Sequence, residues 1–161
     1  MGKYVRKILS EDYAKEICRW KYEGDYSVYN FFDWDKLVEN AWDFAIKEKR
    51  EAEFIAVLAG EELIAFGRVS ENSGKAFLGV GLKPSWCGKG VGSDVMGILL
   101  DEARKRLPGR IIALEVRSFN TRAVCCYQKA GFEVKDKYRK DTSIGEDEFV
   151  YMEYSEAENL C

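Results

Sequence analysis

Short apolar runs alternate with segments of helical period along this chain. Residues 3–9 read as a short strand, and Ser10 stands where it can cap a helix opened by Glu11 and Asp12. Ala14, Ile17, Cys18 and Lys21 give that helix a partly apolar stripe to about Lys21. A second helix is predicted from about Asp33 to Arg50, with Leu37, Ala41, Phe44 and Ala45 on its inner face. Phe54-Ile55-Ala56-Val57-Leu58 and Leu63-Ile64-Ala65-Phe66 flank Gly60-Glu61-Glu62, which predicts a hairpin. Residues 76–82 form the next strand, and a helix follows to about Arg106, with Met96, Leu99, Leu100, Ala103 and Leu107 in period. Pro108-Gly109 ends it. Ile111 to Val116 is a strand, and a helix runs from about Thr121 to Ala130, where Gly131 suits a left-handed stop. Two strands near 132–139 and 147–154 close the pattern, which contains no internal repeat.

Composition narrows the class. A chain of 161 residues fits one domain large enough to bury a core. With 47% apolar and 33% charged residues it is ordinary for a globular protein. The net charge of -3 argues against a nucleic-acid partner, because neutralising phosphates needs a basic face. The start, Met1-Gly2-Lys3-Tyr4-Val5, has no apolar signal core, and no apolar run has the length of a membrane span. Cys18, Cys87, Cys125, Cys126 and Cys161 are odd in number and form no CxxC pair, so free thiols in a reducing cytoplasm are expected. Histidine is absent. That removes the usual general base, the Ser-His and Cys-His nucleophile pairs and the commonest metal ligand, and no metal is expected.

The most informative stretch is Val80-Gly81-Leu82-Lys83-Pro84-Ser85-Trp86-Cys87-Gly88-Lys89-Gly90-Val91-Gly92-Ser93. It reads as a strand, a glycine-rich turn and the start of a helix. Backbone N–H groups of such a turn, with those of a helix N-terminus, make a pocket for a phosphate or pyrophosphate. A P-loop requires G-x-x-x-x-G-K-S/T, but Lys83 stands at its first glycine and Gly90 at its hydroxyl. A dinucleotide fingerprint requires G-x-G-x-x-G after a first strand; glycine is missing at Ser93 or Val95, and this turn follows roughly the fourth strand. A coenzyme A pyrophosphate loop accepts the spacing as it stands.

This turn and Asn120-Thr121-Arg122-Ala123-Val124-Cys125-Cys126-Tyr127-Gln128-Lys129-Ala130-Gly131-Phe132 together resemble the two signature segments of the GCN5-related N-acetyltransferases (GNAT). In the first, Gln or Arg precedes two residues, a glycine, one residue and a glycine or alanine; here Gly90 and Gly92 match and Cys87 replaces the polar residue. The second is matched at Asn120, Ala123, Tyr127, Gly131 and Phe132. The element order agrees over nearly the whole chain. The resemblance implies an α/β (α+β) fold, one domain over residues 1–161, with a mixed, mostly antiparallel sheet of about seven strands flanked by about four helices.

It also implies a chemistry: acetyl transfer from acetyl-CoA to a primary amine, on a small molecule or a protein, in an enzyme that often dimerises. In such enzymes acetyl-CoA lies between two strands that splay apart, here about 77–82 and 111–116. Backbone at Leu82 would pair with the pantetheine arm, with Lys83 beside it. The N–H groups of Cys87, Gly88, Lys89, Gly90, Val91, Gly92 and Ser93 would hold the pyrophosphate, where a Cβ would hinder close approach. Asn120 and Ala123 open the second segment, Asn120 as a helix cap or a cofactor contact. The Leu82 N–H is a candidate oxyanion donor, and Tyr127 takes the position of the acid that protonates the departing thiolate.

The base that deprotonates the amine is left open. Glu115 on the 111–116 strand is one candidate and an ion-paired strand carboxylate is its other reading; a water chain, Glu23 or Asp25 are further options. The acceptor side is expected over residues 20–34, where Trp20, Tyr22, Tyr26, Tyr29, Phe31, Phe32 and Trp34 stand among Glu23, Asp25 and Asp33. Aromatic faces with carboxylates suit a cationic amine. Phe31 and Phe32 read as core; Tyr22, Glu23, Tyr26 and Tyr29 are the candidate contacts. A coenzyme A sensor without turnover, or a regulatory protein using the aromatic segment as an interface, are the alternatives.

Overall fold

The structure, a computed structural model, describes residues 3–155. Strand β1 (Val5–Ile8) leads into α1 (Glu11–Cys18), a 3₁₀ turn over Gly24–Tyr29, α2 (Trp34–Glu39), a second 3₁₀ turn at Asp43–Ala45, and α3 (Lys47–Glu53). Strands β2 (Phe54–Ala59), β3 (Glu62–Asn72) and β4 (Lys75–Leu82) follow, then a 3₁₀ turn at Pro84–Trp86 and α4 (Gly92–Arg106). Strand β5 (Ile112–Arg117), α5 (Thr121–Lys129), β6 (Phe132–Thr142) and β7 (Gly145–Tyr154) complete the order. The strands form a sheet of order β1-β2-β3-β4-β5-β7-β6. Its β1–β2, β2–β3, β5–β7 and β6–β7 pairs are antiparallel, and β4–β5 is parallel. The mixed, mostly antiparallel seven-stranded sheet expected from the resemblance is therefore present.

By contacts the chain divides into two compact units, Met1–Arg68 with Val80–Val91, and Val69–Gly79 with Gly92–Cys161. The core of the first is built by Leu9, Ala14, Ile17, Trp20, Leu37, Phe44, Phe54, Ala56, Leu58 and Leu63. Ser10 caps α1 as expected, its hydroxyl accepting from the Tyr13 N–H at 3.2 Å. The helix stops at Cys18, three residues short of the expected Lys21. Arg50 is buried in this unit, 3% exposed. Its guanidinium is satisfied by the carbonyls of Leu9 (3.0 Å) and Phe44 (3.1 Å), tying the strand-to-helix corner to the helical segment that carries Phe44.

The single helix expected over 33–50 is a correction: it breaks into α2, the Asp43–Ala45 turn and α3. Ala41 has a left-handed φ of 53°. Trp42 N–H reaches back to the Leu37 carbonyl (3.0 Å) and Ala41 N–H to that of Val38 (3.1 Å), the paired bonds of a Schellman stop. Leu37 and Phe44 are buried as expected, but Ala41 is exposed. Two core anchors seven positions apart imitate helical period even with a reversal between them.

In the second unit the buried side chains include Ala76 and Leu78 of β4, Val95, Met96, Leu99, Leu100 and Ala103 of α4, Leu114 and Val116 of β5, and Val150 and Met152 of β7. The register of β4 on β5 covers Ala76–Leu78 against Ile112–Leu114. The alternate residues of β5, Glu115 and Arg117, lie on the other sheet face, and Glu115 stands opposite Tyr151 in register.

The Schellman stop normally carries glycine at the left-handed position, and a Cβ there costs about 1–2 kcal/mol. Part of the relief is lost to the greater freedom of an unfolded glycine. Ala41→Gly should therefore stabilise the protein by roughly 0.5–1 kcal/mol, read as a rise in the urea midpoint at unchanged m.

Candidate active site

The end of β4 is held from both edges. Lys83 N–H donates to the Ile64 carbonyl on β3 at 2.7 Å, where β3 carries an extra residue relative to β2. On the opposite edge the Tyr22 hydroxyl donates to the Leu82 carbonyl at 2.5 Å. The Cys87 thiol sits near the same carbonyl, Sγ 4.0 Å from Leu82 O and 3.7 Å from Lys83 O. Gly81 is needed because a Cβ there would lie 2.3 Å from the Phe66 ring. Phe66 in turn packs against Trp20, Phe31 and Phe44 in the core of the first unit. A glycine between apolar strand residues is the sequence signal of such close approach.

Beyond the Pro84–Trp86 turn the backbone changes character. The Cys87 N–H closes that turn on the Pro84 carbonyl at 3.3 Å, so it is engaged within the chain rather than turned toward a ligand. Gly88 and Gly90 then adopt φ of 77° and 79° with Lys89 between them at negative φ. Alternation of sign turns successive N–H groups toward one side and forms an anion-binding concavity. No atom lies within 4 Å of the Cβ position of either residue, so conformation and not space requires glycine at both. These residues fit a pyrophosphate. Lys83 and Trp86 both donate to Glu62 (2.9 and 3.0 Å), and Lys89 stacks its ammonium over the Trp86 ring at 5.8 Å. These bonds hold the Glu62 carboxyl below its usual pKa, the Lys83 bond most.

Gly92 serves a different end. As the first residue of α4 it faces α5, and a Cβ would lie 2.8 Å from the Cys126 sulfur. It is therefore required for helix packing within the second unit. Burial pushes the Cys126 thiol up from its ordinary pKa, which keeps it protonated and apolar in behaviour. Ser93 follows on α4, exposed, after the buried Val91.

The second signature segment folds as α5. The Asn120 side chain accepts from the Ala123 N–H at 3.1 Å, the N-cap reading of that residue. Tyr127 is half-buried on α5 with its ring edge-on to Phe132, centroids 6.3 Å apart. Gly131 takes a φ of 111° after the helix, as the left-handed stop required. Glu115, also half-buried, accepts from the Tyr138 hydroxyl and from the Lys140 ammonium. The Lys140 ammonium also lies over the Phe149 ring at 4.7 Å. Tyr138 and Lys140 were not foreseen, because they reach Glu115 only through β7, which pairs with β5 across a long stretch of chain and with β6 in a hairpin. The Tyr138 phenol is pushed up by burial and by the bond to Glu115.

The aromatic segment divides. Trp20 is buried and Phe31 stacks on Phe44 at 4.7 Å, whereas Phe32, read as core, is 40% exposed and set edge-on to Trp42. Tyr26 and Tyr29 are half-buried on the 3₁₀ turn, and Glu23, Asp25 and Asp33 are exposed. Asn30 holds the Tyr22 backbone from both sides, accepting from its N–H at 2.7 Å and donating to its carbonyl at 3.4 Å. The cysteines Cys18, Cys87, Cys125 and Cys126 are free; Cys161 lies outside the described residues. Among the described residues no helix is long and apolar enough to cross a membrane.

A glycine loop after the fourth strand, a capped helix bearing a tyrosine and this strand order define a class of acyl-coenzyme A transferase. The acetyltransferase (GNAT) family model matches residues 5–132, and the chain belongs to that family. It is an acetyl-CoA-dependent N-acetyltransferase. No curated protein matches it in sequence. Among solved structures it is similar to a spermidine N-acetyltransferase chimera from Vibrio cholerae and hSSAT, at 20% identity and TM-score 0.78, covering 99% of both chains. It is similar also to the spermidine N-acetyltransferase of Vibrio cholerae in complex with CoA and spermine, at 17% identity and TM-score 0.70 over 100% of both chains. The ribosomal-protein-S18-alanine N-acetyltransferase of Escherichia coli matches at 19% identity and TM-score 0.65, over 94% of this chain and 92% of that one. At these identities the likeness establishes the fold.

The Gly92–Cys126 contact predicts a non-additive pair. Gly92→Ala should destabilise the protein by about 1–3 kcal/mol through overpacking. Gly92→Ala with Cys126→Ala should recover most of that loss relative to Cys126→Ala alone, giving a coupling energy of roughly 1 kcal/mol in a denaturation cycle.

Proposed function

We propose that the chain transfers the acetyl group of acetyl-CoA to a primary amine by direct attack in a ternary complex, with both compact units serving as one acetyltransferase domain. The observation that carries the reading is the alternating backbone of Gly88–Lys89–Gly90 beyond the Pro84–Trp86 turn, which supports a pyrophosphate site in the segment that resembles the first signature. The amine nitrogen forms a bond to the acetyl carbon and the carbon–sulfur bond breaks. Tyr127 donates its hydroxyl proton to the departing thiolate. The Leu82 N–H serves the oxyanion, because donors fixed in a strand need no reorganisation when charge develops. Gly88, Lys89, Gly90, Val91 and Ser93 hold the pyrophosphate through their backbone, with Lys83 and Lys89 adding positive charge beside it. Asn120 and Ala123 act through the helix cap that sets α5.

Glu115 receives the amine proton in this reading. Its present partner, the Lys140 ammonium, is itself a primary amine held by a carboxylate and an aromatic face, the kind of environment an acceptor ammonium would use. Glu23 and Asp25, exposed between Tyr22 and Tyr29, favour a cationic acceptor. Two of the similar structures are named as spermidine N-acetyltransferases and one as a ribosomal-protein-S18-alanine N-acetyltransferase, which makes spermidine and an alanine amine the first acceptors to try. The free thiols support a reducing, cytoplasmic setting.

The test is thiol release from acetyl-CoA in the presence of spermidine, small monoamines and an alanine-terminated peptide. Tyr127→Phe should lower kcat by about a hundredfold while acetyl-CoA binding measured by calorimetry is retained. Full activity of that variant removes the acid role. Gly88→Ala together with Gly90→Ala should weaken acetyl-CoA binding roughly tenfold or more, since each carries about 1–2 kcal/mol of left-handed strain. Acetyl-CoA binding without turnover on any amine would favour the sensor reading.

A further inference from the structure

Tyr22 was expected to meet the acceptor, but its hydroxyl is spent elsewhere. It donates to the Leu82 carbonyl at 2.5 Å, sixty positions along the chain. In an extended strand the N–H and C=O of one residue leave on the same edge, and neighbouring residues alternate. Lys83 N–H points to β3, where Ile64 accepts it at 2.7 Å. The N–H and C=O of Leu82 therefore leave on the other edge, away from β3. Tyr22 thus occupies the carbonyl of the residue whose N–H is the oxyanion donor, on that donor's own edge. One peptide unit is fixed from both ends, running from the Tyr22 hydroxyl through Leu82 C=O and Lys83 N–H to Ile64 C=O. Hydrogen bonds in such a chain polarise and strengthen one another.

The Tyr22 side is itself braced. Asn30 binds both backbone groups of Tyr22, and the Lys21 ammonium reaches the carbonyls of Cys18 (3.2 Å) and Phe31 (3.4 Å), closing the segment at its two ends. Burial raises the Tyr22 phenol well above its ordinary range, so it remains a donor at every working pH. The Cys87 thiol lies beside the same carbonyl. Glu23 and Asp25 stay exposed next to the braced residue.

We propose that Tyr22 is a positioning residue: it latches the acceptor segment to the end of β4 and aims the Leu82 N–H at the reacting carbonyl. The proposal rests on the acetyltransferase reading for its catalytic consequence and on the hydrogen bonds alone for the latch. Loss of the hydroxyl keeps the ring and frees the strand end, so the aim of the donor suffers and the binding of either substrate does not. An acceptor contact would show the reverse.

The experiment compares wild type, Tyr22→Phe and Asn30→Ala, the last loosening the segment without touching β4 and serving if Tyr22→Phe fails to fold. Steady-state kinetics use acetyl-CoA with spermidine and with the alanine-terminated peptide. For Tyr22→Phe, kcat is expected to fall about ten- to a hundredfold with both KM values within about twofold, and Asn30→Ala to shift kcat in the same direction by less. Backbone hydrogen exchange, read without any substrate, should accelerate at least tenfold at Lys83 in Tyr22→Phe. A raised amine KM at unchanged kcat makes Tyr22 an acceptor contact and overturns the proposal, as do unchanged kinetics with a lowered melting temperature. If wild type acetylates neither probe, the kinetic reading fails by itself, and equal Lys83 exchange in wild type and Tyr22→Phe then overturns the latch on separate grounds.

Discussion

The site depends on how strand β4 ends. A strand that loses its neighbour must satisfy its last backbone groups elsewhere or leave them for water, and buried ones cannot wait for water. Here one edge is kept by the Ile64 carbonyl at the β3 bulge and the other by the Tyr22 phenol. That double hold is possible because Gly81 lets the Phe66 ring lie against the strand, and because Phe66 is fixed among Trp20, Phe31 and Phe44. The aromatic wealth of residues 20–34 thus serves the strand before it serves any ligand. The backbone can then turn through Pro84–Trp86 and enter the alternating conformation at Gly88 and Gly90 from a fixed point.

Where local chemistry decides conformation, sequence and structure agree. Ser10 caps α1, Gly131 ends α5, Asn120 caps it, and the hairpin forms around Gly60 at φ 63°. Each of these is settled within a few residues, so a reader of the chain has all the information needed. The break in 33–50 was not visible for the opposite reason. An alanine at a left-handed stop gives no composition signal, and the hydrophobic spacing of Leu37 and Phe44 obeys helical period on both sides of the break. Phe32 was misjudged by type alone; a large ring beside Trp42 remains exposed because its neighbours Phe31 and Trp34 have taken the inward positions.

The candidate site was legible as residue types and hidden as contacts. The glycine spacing pointed to an anion loop, and the backbone there has the alternation such a loop needs. Yet the three glycines are not equivalent: two answer to backbone sign and one to a sulfur atom on a neighbouring helix. No pattern in the turn itself tells these apart, since the Cys126 contact crosses from one signature to the other. The same holds for Glu115. Strand alternation places it on one face with Arg117, but only the pairing of β7 with both β5 and β6 brings Tyr138 and Lys140 to it.

A chain without histidine has no side chain whose ordinary pKa falls between pH 5 and 8. The phenols of Tyr22 and Tyr138 are pushed further up, the first by burial and the second by burial and the Glu115 carboxylate, which makes them fixed donors and unfit as bases near pH 7. Such groups orient carbonyls and carboxylates without titrating. The carboxylate on β5, proposed above as the base, already holds an ammonium, Lys140, against an aromatic face. An acceptor amine that displaced Lys140 would enter as the cation, which a carboxylate attracts, and in the proposed reading would leave its proton there before attack. Binding and deprotonation would then fall to the same oxygen atoms, so the pH dependence of the reaction should follow the amine's own pKa more closely than that of any enzyme group.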